Sequence, residues 1–268
     1  MMKYYTNIVR DDGFGAQYQN IICAIIYAEM NGGEFVYTKC NFDTVYLNNK
    51  EYDSLEDIMN IYPNYKSIDF IKEEGLTAKP LTIQQCYSFF EQNMEQCLSS
   101  KSLDKIKEIF KQNKNLEVFD RNYRNIVIHI RRCSLNSNID IPEHHDGIKV
   151  KEISIDELTS TTVRFTSDEY YLSVINRFRD NGEYNNGIPC KFHILSEGKK
   201  EDFSKYVGDD IVFHLNESLW DSYIYMVMAD ILVLSKSSFS YSAALLNENI
   251  VVYKPFWHTP APHWLVMA

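Results

Sequence analysis

The chain has 268 residues, 45% of them hydrophobic, which is enough to bury one large core or two smaller ones. Its formal charge of −10 excludes a surface that coats nucleic acid and confines any anion binding to a local cluster of donors. The longest apolar stretch, SYIYMVMADILVLS at 222–235, is interrupted by Asp230 and is too short to span a bilayer.

The opening segment MMKYYTNIVRDDGFG lacks the apolar run of a signal peptide, so a soluble, unanchored protein is expected. Six cysteines (Cys23, Cys40, Cys86, Cys97, Cys133 and Cys190) form no CxxC pair. Several sit inside apolar periodic runs, the pattern of reduced, buried thiols in an intracellular protein.

In chain order, Tyr4 to Val9 reads as a short strand and RDDGFG as a loop carrying Gly13 and Gly15. Apolar residues then recur at helical spacing (Tyr18, Ile21, Ile22, Ile25, Ile26), which predicts a helix from just after Gly15 to Met30. Asn31–Gly33 ends it and EFVYT resumes as a strand, giving a βαβ unit. Asp53 to Ile61 reads as a helix, as do 81–100 and 102–114, the last with Ser102 as cap. Composition turns polar around Lys111–Asn122, and a domain boundary is expected there, separating 1–120 from 121–268.

Beyond it the alternation is regular. NIVIHI is a strand, and SDEYYLSVINRFRDNG is a helix capped by Ser167 or Thr166 and ended by Gly182. KFHILS, IVFHLN, DILVLS and IVVYK are further strands; KEDFSKYV, SLWDSYIYMVMA and SSFSYSAALLN are the helices between them. Five strands alternating with helices predict a mostly parallel, doubly wound sheet. One long insertion, 133–161, follows the first of these strands on the side where such sheets carry function.

Three elements carry chemistry. In HIRRCS, Arg131 and Arg132 fall at the carboxyl end of a strand, with His129 just before them; an arginine fork there can pair with phosphate oxygens. A structural pair bound to acids of the long loop is the competing reading. In LSKSSFSYS a strand gives way to a helix near Ser238, and Ser235, Ser237 and Ser238 fill the turn. Backbone N–H groups at a helix start, with hydroxyls beside them, suit an anion; a serine cap alone is the plainer reading. In DDGFGAQYQN, Gly13 and Gly15 let backbone approach a ligand before a helix starts, although the third glycine of a dinucleotide fingerprint is missing.

Together these stretches resemble the alpha-1,2-fucosyltransferases. GFGAQYQN is similar to their N-terminal GxGNQ loop, HIRRCS to their HxRRxD motif, and FHILSEG to their strand ending in Ser-Asp. LWDSYIYMVMADILVLSKSSFSYSAALLN is similar to their closing helix, strand and SSFSWW. The arginine motif is shared by protein O-fucosyltransferases and alpha-1,6-fucosyltransferases, and the order matches across most of the chain. The resemblance implies an α/β, GT-B glycosyltransferase with two Rossmann-like domains facing a cleft. The C-terminal domain would hold a nucleotide sugar, and the N-terminal one a glycan or glycoconjugate acceptor. Transfer would invert the anomeric carbon without a metal or other cofactor, and no Asp-x-Asp occurs in the chain.

By that resemblance, Arg131 or Arg132 grips the donor diphosphate, with His129, Gly13, Gly15, Ser196, Glu197, Ser235, Ser237, Ser238 and Phe239 lining the donor side. Asp12 is the first choice of general base. Asp11 is its near alternative, and Glu143, His144, His145 and Asp146 form a second set. Asp11, Gln17, Glu143 and His144 are expected on the acceptor side, and no metal site is expected at His144–His145. Cys133–Ser134 stands where the family has Gly-Asp, and Ala16 replaces the Asn of GxGNQ. The donor therefore stays open between GDP-fucose and a UDP-sugar such as UDP-xylose. A catalytically silent nucleotide- or glycan-binding protein on the same fold is the alternative. Without an anchor, a cytoplasmic enzyme of a bacterium or a large virus (then acting in the host cytoplasm) is expected. His258 and His263, in WHTPAPHW, read as part of a packed tail, with a place lining the cleft as the alternative.

Overall fold

The computed structural model describes residues 2–9, 12–40, 52–131, 144–145, 148–149, 166–180 and 187–268. The chain separates into two compact units, Met1–Leu116 and Glu117–Ala268. Both are α/β with parallel sheets. Among the described residues no helix is long and apolar enough to cross a membrane.

The first unit runs β1 (Lys3–Asn7), α1 (Phe14–Met30), β2 (Gly33–Val36), α2 (Tyr52–Met59), α3 (Ile68–Glu73), β3 (Ala78–Leu81), α4 (Ile83–Gln92), α5 (Met94–Leu98) and α6 (Lys101–Lys111). Its three strands lie in the order β2-β1-β3, all parallel. The order reverses at β1, so the loop leaving β1 opens at a topological switch point, where such sheets hold ligands. The βαβ unit read from the sequence is present, with α1 starting two residues earlier than its periodicity suggests. α1 is buried along most of its length, because α4 and α6 pack on it as well as the sheet. Gly33 is fixed by packing: a Cβ there would lie 2.5 Å from the Tyr5 ring.

Four local differences from the sequence reading have physical causes. The helix expected over 81–100 breaks at Asn93, which leaves helical geometry (φ −122°, ψ 32°) and splits it into α4 and α5. Thr82 and Gln85 form a capping box that fixes the start of α4. The cap of α6 is Ser100, not Ser102: the Ser100 hydroxyl accepts from Leu103 N, while Ser102 N donates to Glu29 on α1 at 2.8 Å. Strand β3, AKPL, was not anticipated; its Pro80 is tolerated because β3 is an edge strand.

The second unit continues with β4 (Arg124–His129), the two-residue strands β5 (His144–His145) and β6 (Ile148–Lys149), α7 (Asp168–Asp180), β7 (Cys190–Ser196), β8 (Ile211–Leu215), α8 (Leu219–Met228), β9 (Ile231–Val233), α9 (Ser238–Leu246), β10 (Ile250–Tyr253) and β11 (Leu265–Val266). KEDFSKYV forms only a 3-10 turn at Lys200–Phe203, and β5 and β6 make a separate antiparallel ladder. The main sheet is parallel throughout, in the order β11-β10-β9-β4-β7-β8. The chain moves outward from β4 to β7 and β8, then returns to place β9 on the other side of β4. That is the doubly wound order, and its switch point falls between β4 and β9.

Alternation along the strands feeds two faces. Ile126, Ile128, Phe192, Ile194, Ile231, Val233 and Val252 pack with Tyr171, Val174, Ile175 and Phe178 of α7. Residues of opposite parity meet α8 and α9, as His193 does at Tyr225 and His129 at Phe239. Burying both faces leaves the carboxyl edge as the place where polar groups can face a ligand.

His193 is a buried polar exception inside the sheet. Asn125 donates its amide to the carbonyls of Asp120 and Tyr123, so its Oδ1 faces His193 Nε2 at 3.1 Å. His193 Nε2 therefore carries the proton, and Nδ1 accepts from His214 Nε2 at 3.0 Å. Burial, reinforced by His214 and Lys191, holds the His193 pKa down to about 3. A group depressed on folding supports the fold above its unfolded pKa and loses that support as pH falls toward its folded value. Between pH 7 and 5 the native state should lose about 2 kcal/mol through His193, and urea unfolding at both pH values should show a fall smaller by that amount in His193→Gln than in the wild type.

Candidate functional site

The carboxyl ends of β4 and β9 are neighbours in the sheet, and the residues leaving them are hydrogen-bonded to each other. His129 Nδ1 lies 2.8 Å from Ser235 Oγ, and Arg131 Nη1 donates to Ser237 Oγ at 3.5 Å. Ser196, at the end of β7, donates to the Ile130 carbonyl at 2.7 Å, while Ile130 N donates to Leu195 O. Ser196 thus braces the strand end that delivers Arg131. Glu197, the next residue, is exposed.

The serine turn is assembled around the start of α9. Ser237 is its cap, accepting from Phe239 N at 3.2 Å, and Tyr241 N donates to the Ser237 carbonyl. The Ser240 hydroxyl sits 3.3 Å from Ser235 Oγ and reaches the Ser235 and Ser237 carbonyls, closing the turn from below. Ser235 and Ser237 are buried, whereas Arg131, Ser238 and Phe239 keep partial exposure. The arrangement points the helix start, one guanidinium and one hydroxyl toward the same edge, which suits an anion.

His129 contributes no charge here. Its ring lies edge-on to Phe239, and enclosure by protein, with the Arg131 cation beside it, lowers its pKa to about 3. It is a neutral hydrogen-bonding strut, and the positive charge stays on Arg131.

Three more residues stand at this edge: His258, which the sequence leaves open as cleft-lining, and Lys236 and Lys254, which it does not single out. His258 is buried in the packed tail, as expected, yet its Nε2 lies 3.0 Å from Ser238 Oγ. The tail is tied down around it: Tyr253 OH donates to the His258 carbonyl, Tyr241 OH donates to the Thr259 carbonyl at 2.7 Å, and the His258 ring lies tilted against Tyr241 with centroids 4.5 Å apart. Lys236 and Lys254 are the omission. They leave the adjacent strands β9 and β10; Lys236 is 1% exposed and Lys254 Nζ sits 4.2 Å above the Tyr170 ring. The serines around Lys236 drew attention away from it, and only the strand order makes Lys254 its neighbour.

In the first unit, the loop after β1 leads into α1. Asp12 is half-buried, and its Oδ1 accepts from Gly13 N at 2.8 Å. Gln17 folds back to donate to the Asp12 carbonyl at 2.8 Å, fixing the loop. Gly13, the helix cap, has φ −62°, and among the described residues nothing lies within 4 Å of where its Cβ would be. Neither backbone geometry nor packing demands a glycine there, and its absent side chain leaves the helix start uncovered. Gly15 is buried within the first turn of α1. Asn7 locks the end of β1 to the segment after β2 through paired bonds with the Thr38 backbone.

Asp11, Arg132, Glu143 and Asp146 lie outside the described residues, as does most of the long insertion; His144 and His145 are described only as strand β5.

The double role of Ser237 makes it a sensitive position. Ser237→Ala removes the α9 cap and the Arg131 contact, and should lower unfolding stability by about 1 kcal/mol, read from the urea midpoint.

No family model and no curated protein sequence matches this chain. Solved structures similar to it include fucosyltransferase NodZ from Bradyrhizobium, at 11% identity and TM-score 0.45, covering 92% of this chain and 94% of that one. Heptosyltransferase WaaC of E. coli, solved with ADP-2-deoxy-2-fluoro heptose, is similar at 9% identity and TM-score 0.48, covering 99% and 93%. POFUT1 in complex with GDP-fucose is similar at 12% identity and TM-score 0.32, covering 92% and 71%.

Proposed function

We propose that the chain is a GT-B glycosyltransferase that moves a sugar from a nucleoside diphosphate to a glycan hydroxyl, inverting the anomeric carbon without a metal. The observation that carries this reading is the pair of side-chain bonds across the β4–β9 switch point, His129 to Ser235 and Arg131 to Ser237. They set a guanidinium beside a serine-capped helix start at the edge where doubly wound sheets take nucleotides.

The chemistry asks for little more. The acceptor oxygen attacks the anomeric carbon as the bond to the diphosphate oxygen breaks, and the diphosphate leaves with the bonding pair. Arg131 and the N–H groups opening α9 stabilise the charge that grows on the leaving group. The acceptor's proton passes to a carboxylate, and Asp12 is our choice for it because it is half-exposed and held by Gly13 N and Gln17. Gln17 holds that carboxylate's backbone in place.

GDP- and UDP-linked sugars are both compatible with this donor side. The test is a thermal-shift series with GDP, UDP and their sugars. A ligand at a hundredfold excess over its Kd raises stability by about 2.7 kcal/mol. Arg131→Ala should lose that response, and an unchanged shift in this variant would overturn the phosphate assignment. Asp12→Asn should bind the nucleotide normally but lose transfer, followed by release of nucleoside diphosphate. Full turnover in that variant would remove Asp12 as base, and binding without turnover in the wild type would identify a silent binder.

A further inference from the structure

Three cations leave three adjacent strands of the second unit's sheet: Arg131 after β4, Lys236 after β9 and Lys254 after β10. In a chain of net charge −10 this is a concentrated positive row, and it runs along the carboxyl edge. Arg131 donates to the Ser237 hydroxyl of the serine turn. Lys236 stands within the serine turn, between Ser235 and Ser237, and Lys254 leaves the next strand toward α7, whose Tyr170 ring supports its ammonium.

Two buried hydroxyls stand at the same end of α7. Tyr170 OH and Thr166 Oγ1 have no hydrogen-bond partner among the described residues, although Tyr170 is 7% and Thr166 2% exposed. A buried hydroxyl without a partner is costly, so donors in this state mark a place where an acceptor is wanted. The acids of the first turn of α7 are held by other groups: Asp168 accepts from Tyr206 OH at 2.7 Å and Glu169 from Lys205 at 2.9 Å.

We propose that Lys236 and Lys254, with the Tyr170 hydroxyl, form a second anion subsite that takes one phosphate of a nucleoside diphosphate while Arg131 and the serine turn take the other. This rests on the nucleotide-binding reading above and adds to it a division of labour: the serine turn reads that a phosphate is present, and the lysine pair reads that there are two. Burial lowers the pKa of both lysines, and at Lys236 the Lys254 ammonium lowers it further; a second phosphate beside them relieves that repulsion. An ammonium on a flexible stem fits this role, since it acts as a point charge and needs no planar partner.

The experiment is calorimetric titration of the full chain with GDP, GMP, UDP and UMP. Wild type should bind each diphosphate at least about tenfold more tightly than its monophosphate, the size of one charge-assisted contact. Lys254→Gln, which alters a partly exposed side chain, should bring that ratio close to one while leaving monophosphate affinity unchanged. Lys236→Met, matched in length for a buried position, should do the same, with a melting curve to verify folding. A ratio kept in Lys254→Gln overturns the subsite. So does an equal loss for mono- and diphosphate, which would make the lysine a general source of field. If Arg131→Ala abolishes binding while the lysine variants behave as wild type, the nucleotide reading stands and the second subsite falls. If the ratio collapses as expected but no sugar is transferred, the subsite stands and the transfer reading falls. Absence of binding by all four nucleotides overturns both.

Discussion

The site in the second unit depends on one constraint: β4 and β9, remote in sequence, must lie side by side and in parallel. The hydrogen bond between His129 and Ser235 joins residues 106 positions apart and holds the two strand ends in register. Both faces of the sheet are covered, by α7 on one side and by α8 and α9 on the other. A fully buried parallel strand keeps charge out of its middle, where the polar His193 and Asn125 are neutral and bonded to each other, and leaves charged side chains its end. Arg131 and the serines are therefore at the edge because the hydrophobic effect empties the middle of the sheet of charge.

The neutral state of His129 follows from the same packing. A second cation against Arg131, in a place with little water, would be opposed by both desolvation and repulsion. The ring is left as a hydrogen-bonding spacer between the strand and the turn. On the opposite flank β7 holds the residue before Arg131 at both its backbone groups: Ser196 donates to the Ile130 carbonyl and Ile130 N donates to Leu195 O. His258 extends this support to the helix start through Ser238. The guanidinium is thus presented by a rigid frame, and an anion there would meet donors already in place.

Much of this frame was legible in the sequence. The alternation after residue 125 specified the five central strands and three of the four helices expected between them, because short apolar runs separated by capped helices have few other solutions; KEDFSKYV tightened to a 3-10 turn, and the two-residue edge strand β11 carried no pattern of its own. The serine turn was readable from Ser237 preceding an apolar helix, and the cap is there. Local signals failed where two residues competed for one role. Ser102 looked like a cap, but the helix starts before it: Ser100 is the cap, and Ser102 lies in the first turn, where its backbone N–H donates to Glu29 of α1. Asn93 interrupted a run of good helical periodicity through its own backbone geometry, which periodicity does not see. His258 looked like packing and is packing, yet it also touches the turn, a contact set by the fold of the tail across Tyr241 and Tyr253.

The sequence by itself determined which residue types were available at strand ends and helix starts: Arg131 after NIVIHI, serines before SYSAALL, Asp12 and Gly13 before α1. Periodicity and capping are local, and they act within a few residues. Only the tertiary structure decided which of those ends become neighbours. Strand order is chosen by burying all faces at once, a condition satisfied by the whole sheet and by no single segment. That choice brought Lys254 beside Lys236 and set His129 against Ser235.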